Sequence, residues 1–169
     1  MDRDYFRTLA RYNRWANQRL YAAVAKLKTE EYFKQRPAFF HSIHGTLNHI
    51  LVGDRLWFGR ILEGQAPPLK LNQILYGDLV ALRVAREAED GRIVTALDSM
   101  DRERFRQTLE YRNVAGERHV QPMNLVLGHV FNHQTHHRGQ VHDQLSQTSV
   151  EPPELDLILF IREPPDRSL

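Results

Sequence analysis

The stretch His129-Val130-Phe131-Asn132-His133-Gln134-Thr135-His136-His137-Arg138-Gly139-Gln140 decides how the rest of the chain is read. Val126, Val130 and Val141 recur at the helical period, and His129, His133 and His137, at i, i+4 and i+8, stack along the flank of that apolar face. His136 and Gln140 project on the same margin. Two imidazoles four residues apart on a helix can bind one divalent ion at about 2.0–2.1 Å from each nitrogen. A lone His-x-x-x-His is weak evidence, because core or surface histidines satisfied by other partners give the same spacing.

Outward from this helix, the 169-residue chain holds nine histidines and no cysteine. Three histidines stand at 41, 44 and 49, six between 119 and 142, and none between 50 and 118. Without cysteine there is no disulfide, thiolate nucleophile or sulfur-ligated cluster, so any metal must sit on nitrogen and oxygen. The length suits one domain, 1–169. The composition, 41% hydrophobic and 26% charged, is that of a globular protein and argues against disorder. The apolar run Leu157 to Ile161 is far short of the roughly 20 residues a membrane span requires. Met1-Asp2-Arg3-Asp4 is charged and lacks an apolar signal core, so the expected location is the cytoplasm, with no membrane partner. A formal charge of +2 is too balanced to imply a nucleic-acid backbone as partner.

The remaining segments predict further helices. Phe6, Leu9, Tyr12, Ala16, Leu20, Val24 and Leu27 mark an amphipathic helix over about residues 4–27, with Arg3, Arg7, Arg11 and Arg14 on its other side. That arginine stripe reads either as an anion-binding face or as an ordinary solvated one. Thr29-Glu30-Glu31 resembles a short helix start, limited by Pro37. A second long helix runs from the N-cap Ser42 to Glu63, closed by Gly64, with Ile43, Leu47, Ile50, Trp57 and Ile61 as its apolar face. His49 lies at the edge of that face and Asp54 in its middle. Residues 65–77 suit a crossover along a bundle. Asp78 caps a third helix to about Met100, with Leu82, Ala85, Ile93, Ala96, Leu97 and Met100 as core candidates. Residues 105–121 lose the helical period and form a short hairpin or loop. The last helix opens near Pro122 and runs to about Gln147, and the tail segment Leu155 to Ile161 is expected to pack across the bundle as an extended strand of chain. The fold class expected is therefore all-α, a four-helix bundle.

His49 offers a third nitrogen from a facing helix, as bundle sites usually require. Asp54 would be costly to bury unpaired. Its carboxylate can accept a ligand histidine's second N–H, or it can pair with a buried Arg, Tyr or Trp.

Several stretches together resemble the DinB/YfiT-like family of metalloenzymes, over nearly the whole chain. They are Tyr12-Asn13-Arg14-Trp15-Ala16-Asn17, Ser42-Ile43-His44-Gly45-Thr46-Leu47-Asn48-His49-Ile50-Leu51 with Asp54 and Trp57, Tyr111-Arg112-Asn113, residues 129–140, and Leu155-Asp156-Leu157-Ile158. The resemblance implies a four-helix bundle with long crossovers and a three-histidine site for a divalent metal, zinc or nickel, with ligands His49, His133 and His137. Where the family commonly has Tyr, this chain has His136, which is either a fourth nitrogen near the rim or a surface group, the latter favoured by the helical wheel. His129 is either a supporting residue of the site or a packing residue. His41, His44, His119 and His142 have no geometric claim.

Three imidazoles leave a metal position open for water or for a substrate oxygen or sulfur. Gln134 stands where His-Glu-x-x-His would place a general base, so the catalytic proton acceptor would be Asp54 or a metal-bound hydroxide. The resemblance implies a hydrolase or a thiol-dependent S-transferase acting on a small molecule, with a low-molecular-weight thiol such as glutathione supplying the sulfur. The alternative is a non-catalytic metal-binding stress protein. The resemblance also implies a homodimer, and an association with DNA-damage induction that, with the arginine stripe, is the only cue toward nucleic acid.

Overall fold

Both predicted N-caps start helices. Ser42 Oγ accepts from Gly45 N at 3.0 Å and Asp78 Oδ1 from Ala81 N at 2.8 Å, contacts worth about 1 kcal/mol each. In a computed structural model, which describes residues 3–163, four long helices result: α1 (Arg3–Val24), α3 (Ile43–Glu63), α4 (Leu79–Ser99) and α5 (Met123–Ser146). A five-residue helix, α2 (Thr29–Phe33), follows α1. Met1 and Asp2 of the charged N-terminal stretch lie outside the described residues. Gly64 closes α3 in the left-handed region at φ 75°, where a side chain would be strained. Each of α1 and α3 packs against both α4 and α5, so the four long helices form a bundle whose α3-to-α4 connection is the expected crossover.

Two expectations are corrected. The fold is not strictly all-α: β1 (Thr108–Arg112) and β2 (Arg118–Pro122) pair antiparallel, with Leu109 opposite Gln121 and Tyr111 opposite His119. Leu109 is the strand residue that joins the core, which explains why the helical period fails there while an alternating one survives. The tail is not extended throughout, because Leu157–Arg162 forms a short helix, α6. Its turn carries Phe160 onto Tyr12 and Trp15, with ring centroids at 6.0 and 5.8 Å. Trp15 Nε1 also donates to Glu163 at 2.8 Å, tying the tail to α1.

The core has two apolar clusters. One gathers Phe6, Ala16, Phe58, Ile93, Leu97, Leu127 and Val130; the other Leu20, Ile43, Leu47, Leu51, Leu82, Val141 and Leu145. Between them every long helix contributes buried polar residues: Asn13 and Asn17, Asp54, Arg86 and Asp90, Gln134 and Arg138. The arginine stripe of α1 is largely spent within the molecule. Arg7 donates to the carbonyls of Leu97 and Asp98, and Arg11 Nη2 reaches both Asp98 oxygens at 3.0 and 2.9 Å.

Candidate metal centre

Helical phase brings His49 of α3 against His133 and His137 of α5. One ligand nitrogen from each lies within 4.8 Å of the others. His49 Nε2 and His133 Nε2 are 3.1 Å apart, and the ring centroids of His49 and His137 and of His133 and His137 are separated by 4.5 and 4.3 Å. The approach depends on Gly53, one turn after His49. A Cβ at position 53 would meet His133 Cε1 at 2.8 Å, too close for any side chain to be added without moving the imidazole.

Neighbouring groups set which nitrogen is free. His49 Nδ1 lies 2.8 Å from Leu71 O, which can only accept, so Nδ1 carries the proton and Nε2 presents a lone pair. His137 Nδ1 donates in the same way to Gln140 Oε1 at 2.8 Å. Such outer partners fix ligand tautomers at metal sites. Phe40 lies flat on His49, centroids 3.8 Å apart, and holds the ring from the opposite side. Burial pushes the His133 pKa down to about 3, with the adjacent His137 and His49 adding to the effect. Burial likewise takes His137 to about 4 against the opposing Gln140 bond, and lowers His49. All three are neutral at pH 7, the state a cation requires. A bare Nε2 facing another imidazole nitrogen at 3.1 Å needs a proton or a cation between them. Three neutral nitrogens without sulfur fit a divalent ion.

The structure places Asp54 differently from the three histidines. It is 1% exposed; Oδ2 accepts from Arg86 Nη1 at 2.5 Å and Oδ1 from Gln134 Nε2 at 2.6 Å. Among the described residues no histidine reaches it, and the buried-arginine partner is the one found. Arg86 Nη2 stands 2.9 Å from Asp90 Oδ1. Asp90 in turn accepts from Asn13 and Asn17, both at 3.0 Å, and Arg138 donates to Asn13 Oδ1. Burial alone would lower the Arg86 pKa, but Asp90 and Asp54 outweigh it and hold the guanidinium above its ordinary value. Two carboxylates and two guanidiniums thus share one buried layer with no net charge.

An apolar cavity of about 340 Å³ opens onto the histidines, lined by Phe39, Phe40, His49, Leu71, His136, His137 and Gln140. His136 is exposed at its rim and accepts from Gln140 Nε2 at 3.1 Å, the surface position favoured by the helical wheel. His129 is also exposed and meets Trp57 edge to face at 5.1 Å between centroids, outside the ligand group. His44 is buried, its Nδ1 3.0 Å from the Tyr32 hydroxyl. Sequence reasoning missed Phe40, the Leu71 carbonyl and Gly53. Of these only Gly53 left a signal, as a glycine four residues after a ligand on one helix.

The DinB family's sequence pattern matches residues 1–167. The chain belongs to the DinB family. Protein DinB of Bacillus subtilis (strain 168) is 27% identical over 168 residues, spanning 94% of this chain and 95% of that protein. The DinB match therefore covers α1 through α6 and includes the three-histidine group, which could hold a divalent metal.

Proposed function

We propose that this DinB-family chain is a divalent-metal-dependent enzyme of the hydrolase or thiol-dependent S-transferase type, with His49, His133 and His137 holding zinc or nickel. One observation carries the reading: the lone pairs of His49 and His137 are fixed by bonds from their other nitrogens, beside a third neutral imidazole. A bound ion would supply Lewis acidity to an oxygen or sulfur in the position that three imidazoles leave open. The chain's own groups do the rest. Phe39, Phe40 and Leu71 line the cavity with apolar surface that binds the body of a small substrate and excludes water, while His136 and Gln140 offer polar contacts at the rim. With no cysteine in the chain, the sulfur of a transfer reaction arrives with a low-molecular-weight thiol such as glutathione. Asp54, with both oxygens engaged, serves here as a positioning residue that fixes α5 through Gln134. The reading includes a cytoplasmic homodimer; exposed Val80 and Val84, one turn apart on α4, support a self-contact.

The test is elemental analysis of protein purified without added metal, joined to a screen of thiols against electrophiles and of hydrolysable esters and amides. His133→Ala and His137→Ala should each abolish stoichiometric metal and any turnover found, and full metal retention in both variants would sink the proposal. A second reading, a non-catalytic staple of a stress protein, draws on the ligands' spanning two helices, α3 and α5. It predicts no turnover and a loss on chelation of about 2.7 kcal/mol of stability relative to protein in metal at a hundredfold excess over Kd.

A further inference from the structure

The last turns of α3 carry a second polar group that the histidine centre does not use. Trp57 and Arg60, three residues apart, lie on one side of the helix, and Tyr111 of β1 closes over them. The Arg60 guanidinium sits 4.6 Å from the Trp57 ring centroid and 5.2 Å from that of Tyr111. The two rings also meet each other, centroids 5.1 Å apart, so both lie to one side of the guanidinium and its other side is left for a polar partner. Arg60 is 5% exposed, its Nε is buried without a hydrogen-bond partner, and no carboxylate among the described residues pairs with it.

Arg60 lines a cavity of about 440 Å³. One wall is the chain after Gly64, folded back so closely that a Cβ on Gly59 would meet Gln65 O and Pro67 Cδ at 2.8 Å each. The other wall is the hairpin, from Glu110 to Val114 with Arg118. The charges there are unbalanced. Glu110, the cavity's one carboxylate, is fully used by Arg118, whose Nε and Nη2 donate to its two oxygens at 2.7 and 2.8 Å. Arg112 is held by the Gly116 carbonyl at 2.6 Å. That leaves Arg60 and Arg112 without an anion, facing a lining whose apolar part is Leu56, Pro67, Pro68, Leu69 and Val114. Burial lowers the Arg60 pKa, but a guanidinium stays protonated at pH 7, so its charge remains to be met from outside.

We propose that the cavity between the end of α3 and the β1–β2 hairpin is a binding site for a small organic carboxylate, whose carboxylate takes the Arg60 guanidinium while its apolar body rests on Leu56 and the Pro67-Pro68 wall. A planar carboxylate matches the guanidinium fork in two parallel hydrogen bonds. The apolar wall favours an organic acid over inorganic phosphate, which would leave that surface wet. Arg60 lies 11 residues beyond His49 on α3, about 16 Å at 1.5 Å per residue, and the lining shares no residue with the histidine cavity. The inference therefore stands whether or not the histidines hold an ion.

Benzoate titrated into the ¹⁵N-labelled full-length chain tests it by two-dimensional NMR. The indole N–H signal of Trp57 and the Nε–H signal of Arg60 should shift saturably, while the indole signal of Trp15 stays in place and a chelator leaves the titration unchanged. Benzamide, the neutral isostere, and Arg60→Gln should each weaken binding by about tenfold or more, the effect of losing one charged hydrogen bond. Val114→Glu, at an exposed hairpin position that the fold does not need, should also weaken it and guards against a misfolded Arg60 variant. The proposal is overturned if the Trp57 signal does not saturate with benzoate, if benzamide or inorganic phosphate binds as tightly, or if Val114→Glu and a folded Arg60→Gln leave the affinity unchanged.

Discussion

Asp54 and Gln134 lie on the same two helices as His49, His133 and His137, within about one turn of them, yet the two groups handle polarity in opposite ways. Asp54 meets Arg86 and Gln134, Asp90 meets Arg86, Asn13 and Asn17, and Arg138 meets Asn13, so the charges of the buried layer are answered from inside the chain. The histidines instead turn two fixed lone pairs toward a common point and hold their protons outward, on Leu71 O and Gln140 Oε1. A layer with every charge matched ties four helices in register. A cluster of aligned acceptors is completed by a proton or a cation between them. Burial of polar groups therefore does not by itself mark function; what separates the two regions is whether each buried charge has an opposite charge beside it, and Arg60, with no carboxylate paired to it among the described residues, falls on the open side.

The largest expected effect breaks the closed layer. Asp54→Ala leaves Arg86 buried beside a lost partner and should cost about 3–5 kcal/mol in urea unfolding. If the loss stays below about 1 kcal/mol, the layer is not what holds the helices in register. Acid should act next, and at the histidine end. The folded-state pKa values of His133 and His137 lie below the ordinary value near 6.5, and burial lowers His44 as well. The unfolded chain thus takes up protons first, so stability of chelator-treated protein is full above about pH 6.5 and is lost as pH falls toward 3–4. A melting temperature that stays flat down to about pH 4.5 would show that these imidazoles are not buried as neutral groups. The subtlest change is Gln140→Leu, which removes the acceptor from His137 Nδ1 while leaving every ligand in place. Metal affinity should drop by about 10–100-fold with little change in unfolding free energy. An unchanged zinc affinity in a competition titration would mean that the ring is oriented by packing alone.

Much of the open site was legible because ligands must share a helix face, and phase follows from spacing alone. His129, His133 and His137 could be put on one face from their separations of four, His49 at the edge of an apolar stripe on a facing helix, and the family resemblance singled out His133 and His137 with His49. The closed layer was harder to read. Asp54 stood out as a carboxylate on an apolar face, but its partner did not, since Arg86 and Asp90 at i and i+4 look the same in sequence as a solvated surface pair. Only the packing of α4 against α1 and α3 shows that side to be buried. The short helix at Leu157–Arg162 escaped for a related reason. Five apolar residues in a row have no period of their own, and the helical turn is the one that packs Phe160 against Tyr12 and Trp15 of α1.

Gly53 gives the site an evolutionary fragility of its own. Any Gly codon becomes an Ala codon by one nucleotide change, and that change adds a single methyl group where only His133 Cε1 stands in the way. Alanine is the better helix former, so such a substitution would leave α3 intact while pushing one imidazole off the common point. Relatives that keep this fold but have lost the three-histidine arrangement are therefore to be sought first among chains with a side chain at this position.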